Sequence, residues 1–340
     1  MKKKQARALW DLSFDDNRAF TELYFKLRYT DQNTVLISNS EGEAVSGMQL
    51  LPYPFAFLNY EVKSAYISGA CTHPQYRSQG LMSKLMGKSF NQLREQKIPI
   101  CTLIPAEKWL FDYYKKSDFI TLFYKTTTSL TLADSKEIES AVQIKHTDQF
   151  DNSVHEYLNR KKREKSAALL HTKDDLEVIL ADLRLAKGEV FIAYNEDGIE
   201  GIALAFLNPS DETIYVNELL FDSANSKQAL LQAMATHFSS KQITITSYPE
   251  FNKEEPLGML RIIDAPLILQ LFAKHNLSWS ATLEIEDPLI PYNNGLFKIA
   301  NGEVKRLTKE ESKVTLKMDI AQLAKALFTP LKPYMSLMLN

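Results

Sequence analysis

The chain has 340 residues, 45% of them apolar and 24% charged, and a formal net charge of -2. That length predicts about two or three domains of a folded, soluble protein. The near-neutral charge excludes a global electrostatic attraction to nucleic acid or to an anionic membrane.

Residues 5–29 are predicted to be helical, with Asp15 and Asp16 placed to cap "NRAFTELYFKLRY", whose Phe20, Leu23, Tyr24 and Leu27 share one face. The runs "NTVLIS" and "AVSGMQLL" read as strands separated by turn residues, and "LPYPFAFLNYEVK" as an aromatic-rich connection. "SAYISGAC" is a strand. The polar loop "THPQYRSQG" leads from it into a helix running from Leu81 to Gln96. A short buried strand, "IPICTLIP", a second helix, "AEKWLFDYYKKSDF", and a long strand, "ITLFYKTTTSLTL", complete a mixed α/β unit over residues 1–133.

A second unit, residues 134–254, contains a strand pair around an "EDG" turn, the strand "TIYVNELLF" and the helix "NSKQALLQAMATHF". Its order repeats that of the first unit, a weak internal duplication. Its strand-to-helix loop, "FDSANSK", carries no glycine. The basic run "NRKKREK" (159–165) is expected to be a solvated helix face. The remainder, 255–340, reads as an α+β unit ending in "PYMSLMLN". Chain ends are normally polar and frayed, so this apolar tip is expected to be buried, either as a last strand of the third unit or elsewhere.

Cys71 and Cys101 are the only cysteines, and the six histidines form no HExxH or other closely spaced ligand pair, so no metal site is expected. The N-terminal "MKKK" is followed by a polar run rather than an apolar signal core, and no segment approaches the roughly 18 apolar residues of a membrane span. A cytoplasmic protein is expected.

The loop before Leu81 is the chemically suggestive feature. A helix start offers free N–H groups and the positive end of the helix dipole, which suit a phosphate group. Gly80 would let that group approach the backbone, with Arg77, Ser78 and Gln79 at the rim. The loop lacks the Gly-Lys-Ser/Thr of a Walker loop and the three glycines of a dinucleotide fingerprint. An ordinary strand-to-helix corner remains the alternative.

"GACTHPQYRSQGLMSKLM" resembles motif A of the GNAT acetyltransferases, Gln/Arg-x-x-Gly-x-Gly/Ala, through Arg77 and Gly80. Met82 stands where Gly or Ala is usual, and that departure resembles the Eis-like branch. This branch carries a second, degenerate GNAT domain and a C-terminal domain similar to sterol carrier proteins. The resemblance therefore implies a fold of tandem GNAT-like mixed-sheet domains followed by a sterol-carrier-like α+β domain. It covers essentially the whole chain, although only motif A is specific residue by residue.

The resemblance implies an acetyl-CoA-dependent N-acetyltransferase without a metal. Ala70, Cys71 and Thr72 would pair with the pantetheine arm, and the backbone of Arg77, Ser78, Gln79, Gly80, Leu81, Met82 and Ser83 would hold the pyrophosphate. The acceptor would be a small amine or a lysine side chain, attacking the thioester directly. Such an ammonium costs about 4 kcal/mol to deprotonate at pH 7, so a general base is useful, as is an acid for the departing thiolate. In this branch the acid is a tyrosine; Tyr113 and Tyr114 both qualify, and the motif spacing favours Tyr114. The base is the C-terminal carboxylate, here that of Asn340. Relatives in the branch often assemble into hexamers, while the sequence leaves the oligomeric state and the acceptor open.

Cys71 is expected to be a packed or cofactor-adjacent thiol, and "YPFAFLNY" either walls an acceptor pocket or packs as an ordinary loop. Two other functions compete. One is a non-catalytic protein that binds an apolar ligand in the third unit. The other is a FemX-like aminoacyl transferase, against which the slightly acidic charge argues.

Overall fold

The computed structural model describes residues 1–132, 142–250, 252–308 and 316–339. The first unit contains helices α1 (Lys2–Asp11) and α2 (Arg18–Leu27), and strands β1 (Thr34–Ser38), β2 (Ala44–Phe57) and β3 (Tyr60–Thr72). Helix α3 (Leu81–Glu95), strand β4 (Ile100–Leu103), helix α4 (Lys108–Lys115) and strand β5 (Ile120–Thr131) follow. The cap of α2 falls on Asn17, whose side chain accepts from the Ala19 amide at 2.8 Å, and not on the aspartates before it. Asp16 instead accepts from the Trp10 indole at 2.8 Å, closing the turn between the two helices.

The second unit runs β6 (Gln143–Thr147), α5 (Asn152–Arg163), β7 (Ala167–Leu169), α6 (Lys173–Leu185), β8 (Glu189–Asn195), β9 (Gly198–Asn208), β10 (Thr213–Phe221), α7 (Ala224–Phe238) and β11 (Gln242–Ser247). Then come β12 (Glu255–Ile262), α8 (Ala265–His275), β13 (Ala281–Glu286), β14 (Gly295–Ala300), β15 (Glu303–Leu307), β16 (Leu316–Asp319) and α9 (Ile320–Phe328). Strands β13–β16 form a separate sheet in the order β15-β14-β13-β16.

The first two units share one large sheet, in the order β1-β2-β3-β4-β12-β5-β11-β10-β9-β8-β6, with β7 also on β2. Strand β5 joins the halves: Ile120–Lys125 pairs with β12, and Thr126–Thr131 with β11. Residues 255–262, assigned by sequence to the third unit without a strand, form β12, which lies between β4 and β5 and is antiparallel to both. Its near-continuous burial from Gly258 to Ile262 is that of a central strand.

Helices α1 and α2 cover one face of the first half-sheet and α3 and α4 the other, giving separate apolar clusters around Trp10 and around Phe90. Helix α9 packs on the same sheet. Its Phe328 ring lies 4.9 Å from Phe57 and 6.4 Å from Phe55, so these two aromatics of "YPFAFLNY" are core packing. The run "NRKKREK" is only partly a solvated face. Arg160 and Arg163 are exposed, but Lys162 is fully buried, 3.6 Å from the equally buried Glu218. Helical spacing turns the third basic residue of the cluster inward, where a carboxylate offsets the desolvation of its charge. Among the described residues, no helix is long and apolar enough to cross a membrane.

Candidate functional site

Strand β3 is paired along its length with β2, but with its parallel neighbour β4 only at Ser64, Ala65 and Tyr66. Beyond Tyr66, β3 runs on for six residues without β4, so the strands splay. Within this stretch the pairing to β2 shifts register between Gly47 and Gln49, a bulge opposite Gly69 and Ala70. Gly69 adopts φ +59°, and a Cβ there would come within 2.1 Å of the Trp10 ring. The bulge and α1 thus fit together only through a glycine.

The loop at the end of β3 is a short 3-10 turn, Pro74–Tyr76, capped by His73 Nδ1, which accepts from the Gln75 amide at 3.3 Å. Arg77 is exposed and donates through Nε to the Thr72 carbonyl at 3.3 Å. Ser78 and Gly80 both take left-handed conformations, φ +62° and +73°. Such a conformation is costly for serine and free for glycine. Gly80 is the N-cap of α3, and no side chain caps the helix. The first helical amides, Leu81, Met82 and Ser83, therefore face the loop without an intrahelical partner. Met82 is half-buried and packs against the Phe90 cluster, so the large residue in this position serves the core.

The duplicated corner in the second unit is built differently. Helix α7 is capped by Ser223, whose side chain accepts from the Ser226 amide while Ser226 answers to the Ser223 amide, a capping box. Strand β10 also loses its parallel neighbour early, pairing with β11 only from Thr213 to Val216. The residues just beyond are met by the chain's own tail. Ser336 Oγ donates to the Asn217 carbonyl at 3.4 Å, and the Tyr334 hydroxyl donates to Glu218. The strand end and helix start are thus left open in the first unit, whereas in the second the tail and a capping box meet the corresponding residues.

Tyr114, in the last turn of α4, is 8% exposed. Burial, with Tyr113 and Cys71 nearby, pushes its hydroxyl up to about 12, so it holds its proton throughout the neutral range. Its ring lies in the Phe90 cluster, 6.0 Å from Phe119, and Ala70 of the bare stretch of β3 packs against the same cluster. Tyr113 is more exposed and less perturbed. Cys71 itself is buried under α1, its thiol 3.9 Å from the Leu9 carbonyl, and burial pushes it up to about 11. A thiol so placed is no nucleophile.

The C-terminal tail leaves the third unit and threads between the first two. The Tyr334 amide donates to the Ala167 carbonyl at 2.9 Å, and the Leu169 amide to the Tyr334 carbonyl at 3.0 Å. Met335 packs against Gly258, in the sheet between the units, and Met338 enters the cluster between α5, α6 and the second half-sheet. The apolar tip is therefore buried outside the β13–β16 sheet. Asn340 lies outside the described residues.

Sequence reasoning found the motif A loop and the aromatic helix. It missed the buried group around the tail: Lys162 donates to the Ser336 carbonyl at 3.2 Å and lies 3.1 Å from His171 Nδ1. Burial lowers Lys162 to about 8, with Glu218 opposing the shift. A buried lysine inside a basic run has no signature of its own. The apolar C-terminus was the nearest available signal.

Residues 2–121 match the family model described as an acetyltransferase (GNAT) domain, and residues 268–334 match a sterol carrier protein domain. No curated protein matches the sequence. Solved structures match in fold. A conserved protein from Enterococcus faecalis V583 has 18% identity and a TM-score of 0.77, over 95% of this chain and 86% of that one. A GCN5-related N-acetyltransferase from Anabaena variabilis has 19% identity and a TM-score of 0.76, over 98% and 96%. Eis1 from Mycobacterium abscessus has 12% identity and a TM-score of 0.71, over 96% and 87%. Residues 2–121 are thus a GNAT acetyltransferase domain and residues 268–334 a sterol carrier protein domain, in a chain whose fold is shared with Eis1.

Proposed function

We propose that this enzyme transfers an acetyl group from acetyl-CoA to the amine of a small molecule or a lysine side chain, by direct attack. The observation that carries this reading is the continuity of two open backbone surfaces: the bare edge of β3 beyond Tyr66 and the uncapped start of α3 at Gly80. The first suits the amide-bearing pantetheine arm, and the second the pyrophosphate. Arg77 is exposed and its hold on Thr72 is a single long bond, so it can turn to a phosphate.

Bound acetyl-CoA supplies an activated thioester. Amides on the bulged stretch around Gly69 and Ala70 would stabilise the oxyanion that forms when the amine attacks. Tyr114, protonated at neutral pH, would hand its proton to the departing thiolate. The proton of the attacking amine would go to the carboxylate of Asn340; the anchoring of Tyr334, Ser336 and Met338 supports a tail held by the fold as far as that residue's neighbours rather than a frayed end. The contrast with the second unit supports a single seat per chain, because there the tail and the Ser223–Ser226 box take the corresponding groups.

The deciding experiment is calorimetric titration with acetyl-CoA, followed by thiol release with a panel of polyamines, aminoglycoside-type amines and lysine peptides. One equivalent bound, and turnover with at least one amine, is the expected result. No binding and no turnover would overturn the reading.

A further inference from the structure

Three ligating side chains meet on the second unit, far along the strand order from β3: His146 on β6, Glu189 on β8 and His237 in the last turn of α7. One atom from each lies within 4.8 Å of the others. The two oxygens of Glu189 are divided between the rings. Oε2 meets His146 Nδ1, and Oε1 lies 3.6 Å from His237 Nε2. The two imidazoles are 4.5 Å apart, centroid to centroid. The ring of the fully buried Phe191 backs both, 5.6 Å from His146 and 5.4 Å from His237. The histidines are thus held by an apolar floor, while their outer sides are open to solvent.

We propose that His146, Glu189 and His237 bind one divalent transition-metal ion of the zinc type. Two imidazoles and a carboxylate suit Zn²⁺ and its neighbours rather than Mg²⁺ or Ca²⁺, which take oxygen ligands. Ligand bonds of about 2.0–2.2 Å set donor atoms roughly 3 Å apart, so His146 and Glu189, now hydrogen-bonded, would part slightly while His237 closes, both by side-chain rotation. The solvent side leaves the fourth position to water. Elements β6, β8 and α7 come from separate stretches of chain, so the ion would act as a staple, fixing the edge strand β6 to the helix that covers it. The sequence reading expected no metal because it sought closely spaced pairs, whereas here His146 and Glu189 are 43 positions apart.

The test uses tag-free, chelator-treated full-length protein. Titration with ZnCl₂ is expected to show one saturable equivalent and a melting temperature raised by several degrees. Co²⁺ is expected to give visible d–d absorption with imidazole coordination. The variant H146A/H237A is expected to lose both, while a retained acetyl-CoA response or an unchanged circular dichroism spectrum shows that it is folded. No saturable equivalent in the wild type would overturn the proposal, as would an unchanged Co²⁺ spectrum in the variant.

Discussion

Arg261 and Asp287 are both fully buried and joined by two hydrogen bonds, of 2.7 and 3.2 Å. Arg261 lies on β12 and Asp287 just after β13, so the pair ties the central strand of the large sheet to the small one. Arg261 Nε also donates to the Ser117 carbonyl at 2.8 Å, three residues past Tyr114. Asp287 accepts in addition from the Leu289 and Ile290 amides and from Asn293. Removing one partner leaves an uncompensated buried charge, so D287A is expected to lose about 3–5 kcal/mol in urea unfolding. A loss under about 1 kcal/mol would show that water reaches the guanidinium.

Gly80 sits at φ +73°, and a Cβ added to it would meet no atom within 4 Å, so a side chain there strains the backbone without striking a neighbour. G80V is expected to raise KM for acetyl-CoA at least about tenfold while costing roughly 1–2 kcal/mol of stability. G80N, which tolerates the left-handed region, is expected to fall between. An unchanged KM in G80V would place the phosphates elsewhere.

Y114F retains the ring packing against Phe119 at 6.0 Å and removes only the hydroxyl proposed as the acid. Its kcat is expected to fall about 10²–10⁴-fold with KM for acetyl-CoA within a factor of about three. Y113F is expected to stay near wild type. The wild-type kcat is expected to show no alkaline loss from Tyr114 below about pH 11, since its hydroxyl is pushed up to about 12.

The role proposed for the Asn340 carboxylate would make the terminus itself a reagent. Appending a few glycines after Asn340, with Tyr334–Leu339 intact, is expected to abolish turnover and leave acetyl-CoA binding unchanged by calorimetry. Full activity in the extended protein would remove the carboxylate from the mechanism.

Burial pushes the Cys71 thiol up to about 11 and the Cys101 thiol up to about 12. In the unfolded chain both ionise near pH 9. Above that pH the unfolded state has released protons that the folded state keeps, so stability falls as pH rises. The two thiols thus contribute fully below about pH 9 and lose that contribution as pH climbs through about 11 and 12. The urea midpoint is expected to drop between about pH 8.5 and 10.5, less steeply in C71A/C101A. Neither thiol is expected to react with an aromatic disulfide reagent in the native protein at about pH 8.

Much of the first unit was legible because each element carries a local signal. The apolar face of α3, the β-branched run of β5 and the glycine before Leu81 all act within a few residues of themselves. The same locality failed at β12. "EPLGMLRI" reads only as the beginning of the third unit, and long-range pairing with Leu103 and Ile120 assigns it to the first sheet. Lys162 failed for a related reason: its partner Glu218 lies on another strand, so the basic run looked wholly solvated. The site divides likewise. The motif A loop is contiguous, whereas the seat of the tail is assembled from Ala167, Asn217 and Gly258, which nothing in the sequence links.

The position of β12 also sets a timetable for the nascent chain. Residues 1–133, released alone, would present β4 and the first half of β5 as two unpaired strand edges facing an empty slot. The strand that fills it emerges from the ribosome only after the whole second unit has been made. The catalytic half must therefore wait, partly open, for more than a hundred further residues, and is exposed to aggregation and to chaperones during that interval. A stop codon anywhere before Ile262 would yield not a smaller enzyme but a sheet missing its centre.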